Sequence, residues 1–226
     1  MSLFQTLQSA WPYLIDGFQI TIEIWLLSIL IGMGLGLIAC LMKMSHFKVL
    51  QAISGVYVWL IRGTPMIVQA FVVYFGLSQA AGLHLSPFTA GMITLSLNAG
   101  AYLSEIFRSG IMSIDIQAVP KGQSEAARSL GLSASRTTAK IVLPQAFKIA
   151  IPPMVNQFII TLKDTSILTV IGLAEIVNKA GQYIMIRLDY FQTYVCVALF
   201  YLAFTSLLMI LAHYLRLSYD RKNSRS

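Results

Sequence analysis

The sequence predicts an all-α, polytopic membrane protein with about five transmembrane helices, on three observations. Its 226 residues are 57% hydrophobic and only 11% charged, about half the charge of an ordinary soluble domain. The apolar residues fall in runs long enough to cross a hydrocarbon core of about 30 Å. The sixteen Lys and Arg gather in a few segments between those runs instead of covering a surface. One domain over residues 1–226 is expected.

The elements follow in chain order. Residues 1–13 read as an amphipathic opening segment, with Phe4, Leu7 and Trp11 at helical spacing and Trp11 and Tyr13 suited to an interface. That stretch has no Lys or Arg and no separate apolar core, so a cleavable signal is not expected. The first span covers 14–42 and contains Gly32, Gly34 and Gly36, small residues that let another helix approach. A basic loop, Lys43 to Lys48, follows. Residues 49–60 are apolar but too short to span. Thr64 can cap and Pro65 can open a second span over 64–82. Ser86-Pro87 repeats that start for a third, over 87–111.

Residues 112–146 form a polar, basic island. A short helix begins near Pro120 and stops at Gly131, which takes a left-handed cap at little steric cost. Ser133 then starts a second helix that carries Arg136, Lys140 and Ile141 to a stop at Pro144. The fourth span, 147–173, is kinked by Pro152-Pro153. Residues 174–190 connect it, partly as helix, to a fifth span over 191–217 and a basic tail.

With the 112–146 loop inside, the inner segments hold Lys43, Lys48, Arg62, Arg108, Lys121, Arg128, Arg136, Lys140, Lys148, Arg216, Arg221, Lys222 and Arg225, thirteen of the sixteen basic residues. Lys179 and Arg187 stay outside and Lys163 lies within the fourth span. The positive-inside rule therefore puts the N-terminus outside and the C-terminus in the cytoplasm. The net charge of +7 is this topology signal, and no nucleic-acid partner is expected. Cys40, Cys196 and the scattered His46, His84 and His213 suggest neither a disulfide framework nor a metal site. No GxxxxGK[ST] phosphate loop is present, so the chain is not expected to hydrolyse ATP itself.

The spacing Glu125-Ala126-Ala127, three residues, Gly131, nine residues, Ile141-Val142-Leu143-Pro144 resembles the signature loop of bacterial ATP-binding-cassette importer permeases. Further stretches resemble the polar amino acid branch, the histidine, glutamine, arginine and cystine type. They are Arg62-Gly63-Thr64-Pro65 with Gln69, Asn98 through Glu105 (including Tyr102) with Arg108, Pro152-Pro153, Asn156-Gln157-Phe158, and Lys163-Asp164-Thr165-Ser166. Ile171-Gly172-Leu173-Ala174-Glu175 is most similar to glutamine permeases. One departure stands out: residues 116–120 look like an insertion between Asp115 and Lys121.

The resemblance implies a type I importer permease fold with a cytoplasmic coupling helix-turn-helix. Glu125, Ala126, Ala127, Gly131, Ile141, Leu143 and Pro144 would dock on a cytoplasmic ATPase dimer, which itself binds ATP and Mg²⁺. A second permease copy or a paralogue would complete the pore, and an extracytoplasmic amino-acid-binding protein would deliver the substrate across the bacterial inner membrane.

The spans add their own chemistry. A lone charge at the bilayer centre costs about 2.5–3.5 kcal/mol on insertion scales. Lys163 and Asp164 are adjacent, hence about 100° apart on a helix, and cannot neutralise each other across a turn. Asp164 and Asn98 come to similar depth, with Glu105 about two turns nearer the cytoplasm. Lys163, Thr165 and Ser166 suit an amino acid's carboxylate; Asp164, with Glu105 or Asn98, suits its ammonium. The competing reading makes these residues interhelical pairs that hold the bundle. An ion-coupled secondary transporter is an alternative class, but the internal repeat typical of it is not found; a channel or membrane scaffold would not explain the signature loop.

Overall fold

The computed structural model describes residues 2–113, 122–137, 140–141 and 143–223. The 116–120 insertion, Lys121 and the last three residues of the basic tail lie outside the described residues. All the described elements are helical.

Helix α1 (Leu3–Lys43) is one continuous helix of 41 residues, about 60 Å long. The expected amphipathic opening segment is therefore part of the first span's helix. A capping box starts it: Gln5 N donates to Ser2 Oγ (3.3 Å) and Ser2 N to Gln5 Oε1 (3.0 Å). Pro12 sits inside without ending it.

The second expected span divides. Helix α2 (Lys48–Gly63) takes up the apolar stretch judged too short to cross, and α3 (Met66–Phe71), a π-helical segment (Val72–Gly76) and α4 (Leu77–Ala81) follow after a break. The two halves meet at 108°. Thr64 does not cap α3. Its hydroxyl donates back to Leu60 O (2.8 Å), closing α2, and Pro65 stands at the head of α3 with no side-chain cap.

Helix α5 (Pro87–Ser113) starts as expected, with Thr89 N donating to Ser86 Oγ (3.1 Å). Helices α6 (Gly122–Ser129) and α7 (Ala134–Thr137) follow. Helix α7 is one turn of the second expected helix and residues 140–141 are π-helical, but 138–139 and 142 lie outside the described residues, so its run towards Pro144 falls partly outside them. Helix α8 (Leu143–Asp164) instead begins one residue before Pro144, placing it in a first turn where the missing N–H has no intrahelical partner to lose. The backbone stays helical through Pro152-Pro153, then tightens to a 3₁₀ helix (Thr165–Ile171) ended by Gly172 at φ 81°. The connection folds as α9 (Ile176–Arg187), and α10 (Tyr190–Asn223) closes the chain.

Packing gives the direction of each pass. Thr6 bonds Asp189, Trp11 meets Phe200 and Trp25 meets Phe204, so α1 and α10 run parallel. Gly32 lies against Ala99 and Gly36 against Leu103, so α5 is parallel to both. Helix α8 returns: Ala150 and Met154 share a cluster with Phe107, and Leu168 packs on Gly91.

Among the described residues, Leu3–Lys43 and Tyr190–Tyr214 are each long and apolar enough to cross a membrane, and the bent α2–α4 pair qualifies as a third span. Helices α5 and α8 are long but less apolar, and they carry buried polar side chains. Ser96, Asn98 and Ser104 on α5 and Gln157 and Thr161 on α8 are all buried.

Helix α1 meets α9 at backbone contact. A Cβ on Gly17 would lie 2.6 Å from Ile176 Cα, where no flexible side chain can yield. Gly17→Ala should therefore destabilise the purified protein by about 1–3 kcal/mol and lower its melting temperature. Gly34→Ala, whose Cβ would meet nothing within 4 Å, should leave it unchanged.

Candidate functional site

Three of the expected substrate residues lie on α5, and the α2–α3 elbow packs beside them. Asn98 is buried, and its Nδ2 donates to Gln69 Oε1 (3.3 Å). The Gln69 amide nitrogen reaches back across the elbow to Ile61 O (2.7 Å), Thr64 O (3.0 Å) and Thr64 Oγ1 (3.0 Å). One side chain thus satisfies carbonyls that the end of α2 leaves open and ties the elbow to α5. Tyr57 OH adds a second tie, to Leu97 O (2.7 Å). Tyr102 carries the Arg62 guanidinium over its ring, Cζ 5.2 Å from the centroid. Glu105 is held by its own helix, with Arg108 Nη2 2.7 Å from Oε2.

The second group sits at the α8–3₁₀ junction. Lys163 is exposed and Asp164 half-buried. Among the described residues neither is in an ion pair. Thr165 differs from expectation. It is fully buried, donates to Leu162 O (2.7 Å) and lies 3.4 Å from Tyr201 OH, facing α10. Ser166 Oγ donates to Lys163 O (2.6 Å).

One member of each group, Asn98 and Asp164, comes to a similar depth. Leu168 marks the level of Gly91. Asp164 is four residues inward from it and Asn98 seven residues inward from Gly91, so the two differ by about one helical turn or less.

Sequence reasoning left three residues out of the site or misread them. The sequence reads Arg62 as an inner-side charge and, with Gln69, as part of the family resemblance; their partners on α5 are remote in the chain. Glu175, part of the stretch that suggested glutamine, is fully buried and caps α9, accepting from Val177 N (2.9 Å) and Asn178 N (2.8 Å). That likeness therefore rests on a structural residue.

At the end where α5 stops and α8 starts, α6 closes in a Schellman turn. Leu132 N donates to Ala127 O (3.1 Å), Gly131 N donates to Arg128 O (3.0 Å), and Gly131 sits at φ 81°. Ala127 is buried, while Ala126 and Leu130 are exposed, Leu130 at 83%. Ile141 is half-buried. Glu125, Leu143 and Pro144 are on described backbone, but their side chains lie outside the described residues.

A helical bundle with polar side chains at mid-depth, a broken second span and a glycine-capped turn at one end has the build of the membrane subunit of a type I ATP-binding-cassette importer. The fold matches the crystal structure of an amino acid ABC transporter with histidines, at TM-score 0.87 and 36% identity over 94% of this chain and 97% of that one. It also matches the MetNI methionine ABC transporter in an inward-facing conformation, at TM-score 0.73 and 16% identity over 91% and 95%, a likeness of fold alone. The chain belongs to the family described as binding-protein-dependent transport system inner membrane component, which matches residues 28–221. The L-cystine transport system permease protein TcyB of Bacillus subtilis (strain 168) is 40% identical over 215 residues, covering 95% of this chain and 89% of that protein. The arginine transport system permease protein ArtQ of the same organism is 39% identical, covering 84% of each. The glutamine transport system permease protein GlnP of Escherichia coli (strain K12) is 37% identical, covering 87% and 88%.

Gln69→Leu should strand the Ile61 and Thr64 carbonyls and release Asn98, a loss of about 1–3 kcal/mol. The expected outcome is a melting temperature several degrees lower, with membrane insertion retained.

Proposed function

We propose that this chain is the membrane-spanning subunit of an ATP-driven importer that moves a polar amino acid inward by alternating access. The observation that carries the reading is the set of polar side chains Asn98, Tyr102 and Asp164, spread over about 10 Å of depth inside a bundle whose outer helices are apolar. Charged and amide groups are costly there and mark a substrate path. Relatives named for cystine, arginine and glutamine transport are 37–40% identical to this chain. Those amino acids share the α-ammonium and α-carboxylate and differ in side chain, which favours a site built around the common zwitterion. Asn98, Tyr102, Glu105, Lys163, Asp164 and Ser166 are the candidate lining; Thr165 supports it from behind.

The chain itself is not the enzyme of this system. ATP and Mg²⁺ belong to a cytoplasmic ATPase dimer, an extracytoplasmic binding protein presents the substrate, and a second copy or a paralogue completes the pore. The turn carrying Ala126, Ala127, Gly131 and the exposed Leu130, with Glu125 on α6 and Ile141, Leu143 and Pro144 beyond it, is the docking element. Closure of the ATPase pair moves it and re-tilts the spans. Five crossings fit the bundle, since α1, α5 and α10 run one way and the α2–α4 segment and α8 the other.

The test is uptake of L-glutamine, L-cystine and L-arginine into proteoliposomes holding permease, ATPase and binding protein. Uptake should require ATP. Uptake that instead follows an ion gradient without ATP would indicate an ion-coupled carrier. Gly131→Val should abolish ATP-driven uptake while the protein still inserts, because a left-handed backbone costs a side-chain-bearing residue about 1–2 kcal/mol and reorients the turn. Full uptake in that variant would remove the docking role.

Orientation follows from the basic-residue distribution. A cysteine replacing Ser86 should react with an impermeant reagent applied outside, and one replacing Ser133 should not. The reverse labelling pattern would invert the topology.

A further inference from the structure

We propose that Arg62 is the residue that receives the α-carboxylate of the transported amino acid. This rests on the amino acid importer reading above and replaces Lys163 in that role.

By chain position Arg62 belongs to the end of a short apolar segment, just before a Gly-Thr-Pro break, where a cation is unremarkable. The fold puts it elsewhere. It stands in the last turn of α2, and its guanidinium lies over Tyr102. Tyr102 is fifteen residues into α5 counting from Pro87, about 22 Å along that helix. Arg62 is therefore level with the middle of the bundle, one turn from Asn98 and within one turn of Glu105. A cation at such a depth needs an anion or water.

The polar groups around it are already engaged with one another. Asn98 is bonded to Gln69, and Glu105 to Arg108. Among the described residues Arg62 makes no ion pair; its guanidinium lies over the ring face, and Glu105 is near enough for the two charges to interact. A ring face attracts the cation without using its five N–H donors. The planar fork is thus held in orientation with its donors free, the arrangement that binds a carboxylate through two parallel hydrogen bonds. Both cations are exposed, but Lys163, at the end of α8, offers a flexible point charge with no comparable support.

The rest of the zwitterion finds partners nearby. Asn98 uses its amide nitrogen on Gln69, which leaves its carbonyl oxygen to accept from the ammonium. Asp164 lies roughly 10 Å from the Arg62 level along the bundle, the side-chain end of a bound amino acid instead of its backbone end. That separation assigns the carboxylate to the elbow and the variable group to the α8–3₁₀ junction. It also accommodates relatives named for cystine, arginine and glutamine.

The test is calorimetric binding to the purified permease–ATPase complex, without binding protein, of L-glutamine, L-arginine and L-cystine and of the corresponding α-amides. Wild type should prefer the acid over its amide by about tenfold or more. Arg62→Gln should lose tenfold to a hundredfold for the acid, with amide affinity unchanged, so that the preference disappears. Lys163→Gln should keep the preference. A preference retained in Arg62→Gln, or lost only in Lys163→Gln, overturns the assignment. Should Arg62→Gln fail to assemble, Arg62→Lys decides: acid affinity reduced with amide affinity intact supports the fork, and wild-type acid affinity refutes it. If an intact wild-type complex binds none of the three acids, the amino acid reading fails and the Arg62 assignment with it. An acid preference that Arg62 does not control defeats the assignment alone.

Discussion

The bundle depends on the close approach of α1 to its neighbours. Lipid tails are as apolar as the helices, so burial of apolar side chains does not drive these helices together, and packing and interhelical hydrogen bonds must do so. Helix α1 meets that demand with small residues. Gly36 faces Leu103 and the Gly100 carbonyl at distances that leave no room for a side chain, and Gly17 faces the backbone of Ile176. Thr21 then accepts from Ile176 N (3.3 Å) and Ser28 Oγ contacts Met92 O (3.5 Å), polar contacts between helices that only such an approach permits. Because α5 is seated on this seam, Asn98, Tyr102 and Glu105 are set at defined depth.

On that seam the protein holds a broken helix. Irregular backbone inside a bilayer is tolerated only where its polar groups find partners in the protein. The elbow at Thr64-Pro65 meets this condition locally, with Thr64 bonding Leu60 O and Gln69 bonding Ile61 O and Thr64 O. The α8–3₁₀ junction uses the same device, with Thr165 bonding Leu162 O and Ser166 bonding Lys163 O. Both breaks occur where candidate substrate residues lie, since ending a helix frees side chains and carbonyls that a continuous helix would engage.

Much of this was legible in the chain. The Ser86-Pro87 start and the Gly131 stop are local signals: a capping hydroxyl, a proline N–H that is not needed, and a left-handed residue act within a few positions. The family signature was legible for a related reason, since a docking turn is a short contiguous motif. Errors arose where a local rule had two outcomes. Pro144 reads equally as the end of one helix or the first turn of the next, and the structure uses it as the latter. Thr64 precedes a helix as a cap would, yet its hydroxyl turns back because an open carbonyl at Leu60 lies within reach. Thr165 shares its polarity with Ser166, but a 3₁₀ turn sends the two to different faces, and Thr165 goes into α10.

The sequence by itself determined that the chain is helical and apolar, where several of its helices start or stop, and which family it joins. These properties follow from composition, from periodicity and from contiguous motifs. Only the tertiary structure decided which polar residues stand together. Arg62 and Tyr102 are forty residues apart, Gln69 and Asn98 twenty-nine, and Thr6 and Asp189 farther still. Their meeting depends on crossing angles set by glycines on α1 and by the 108° bend between α2 and α3–α4. No residue-level preference encodes those angles, because they result from how complete helix surfaces pack against one another.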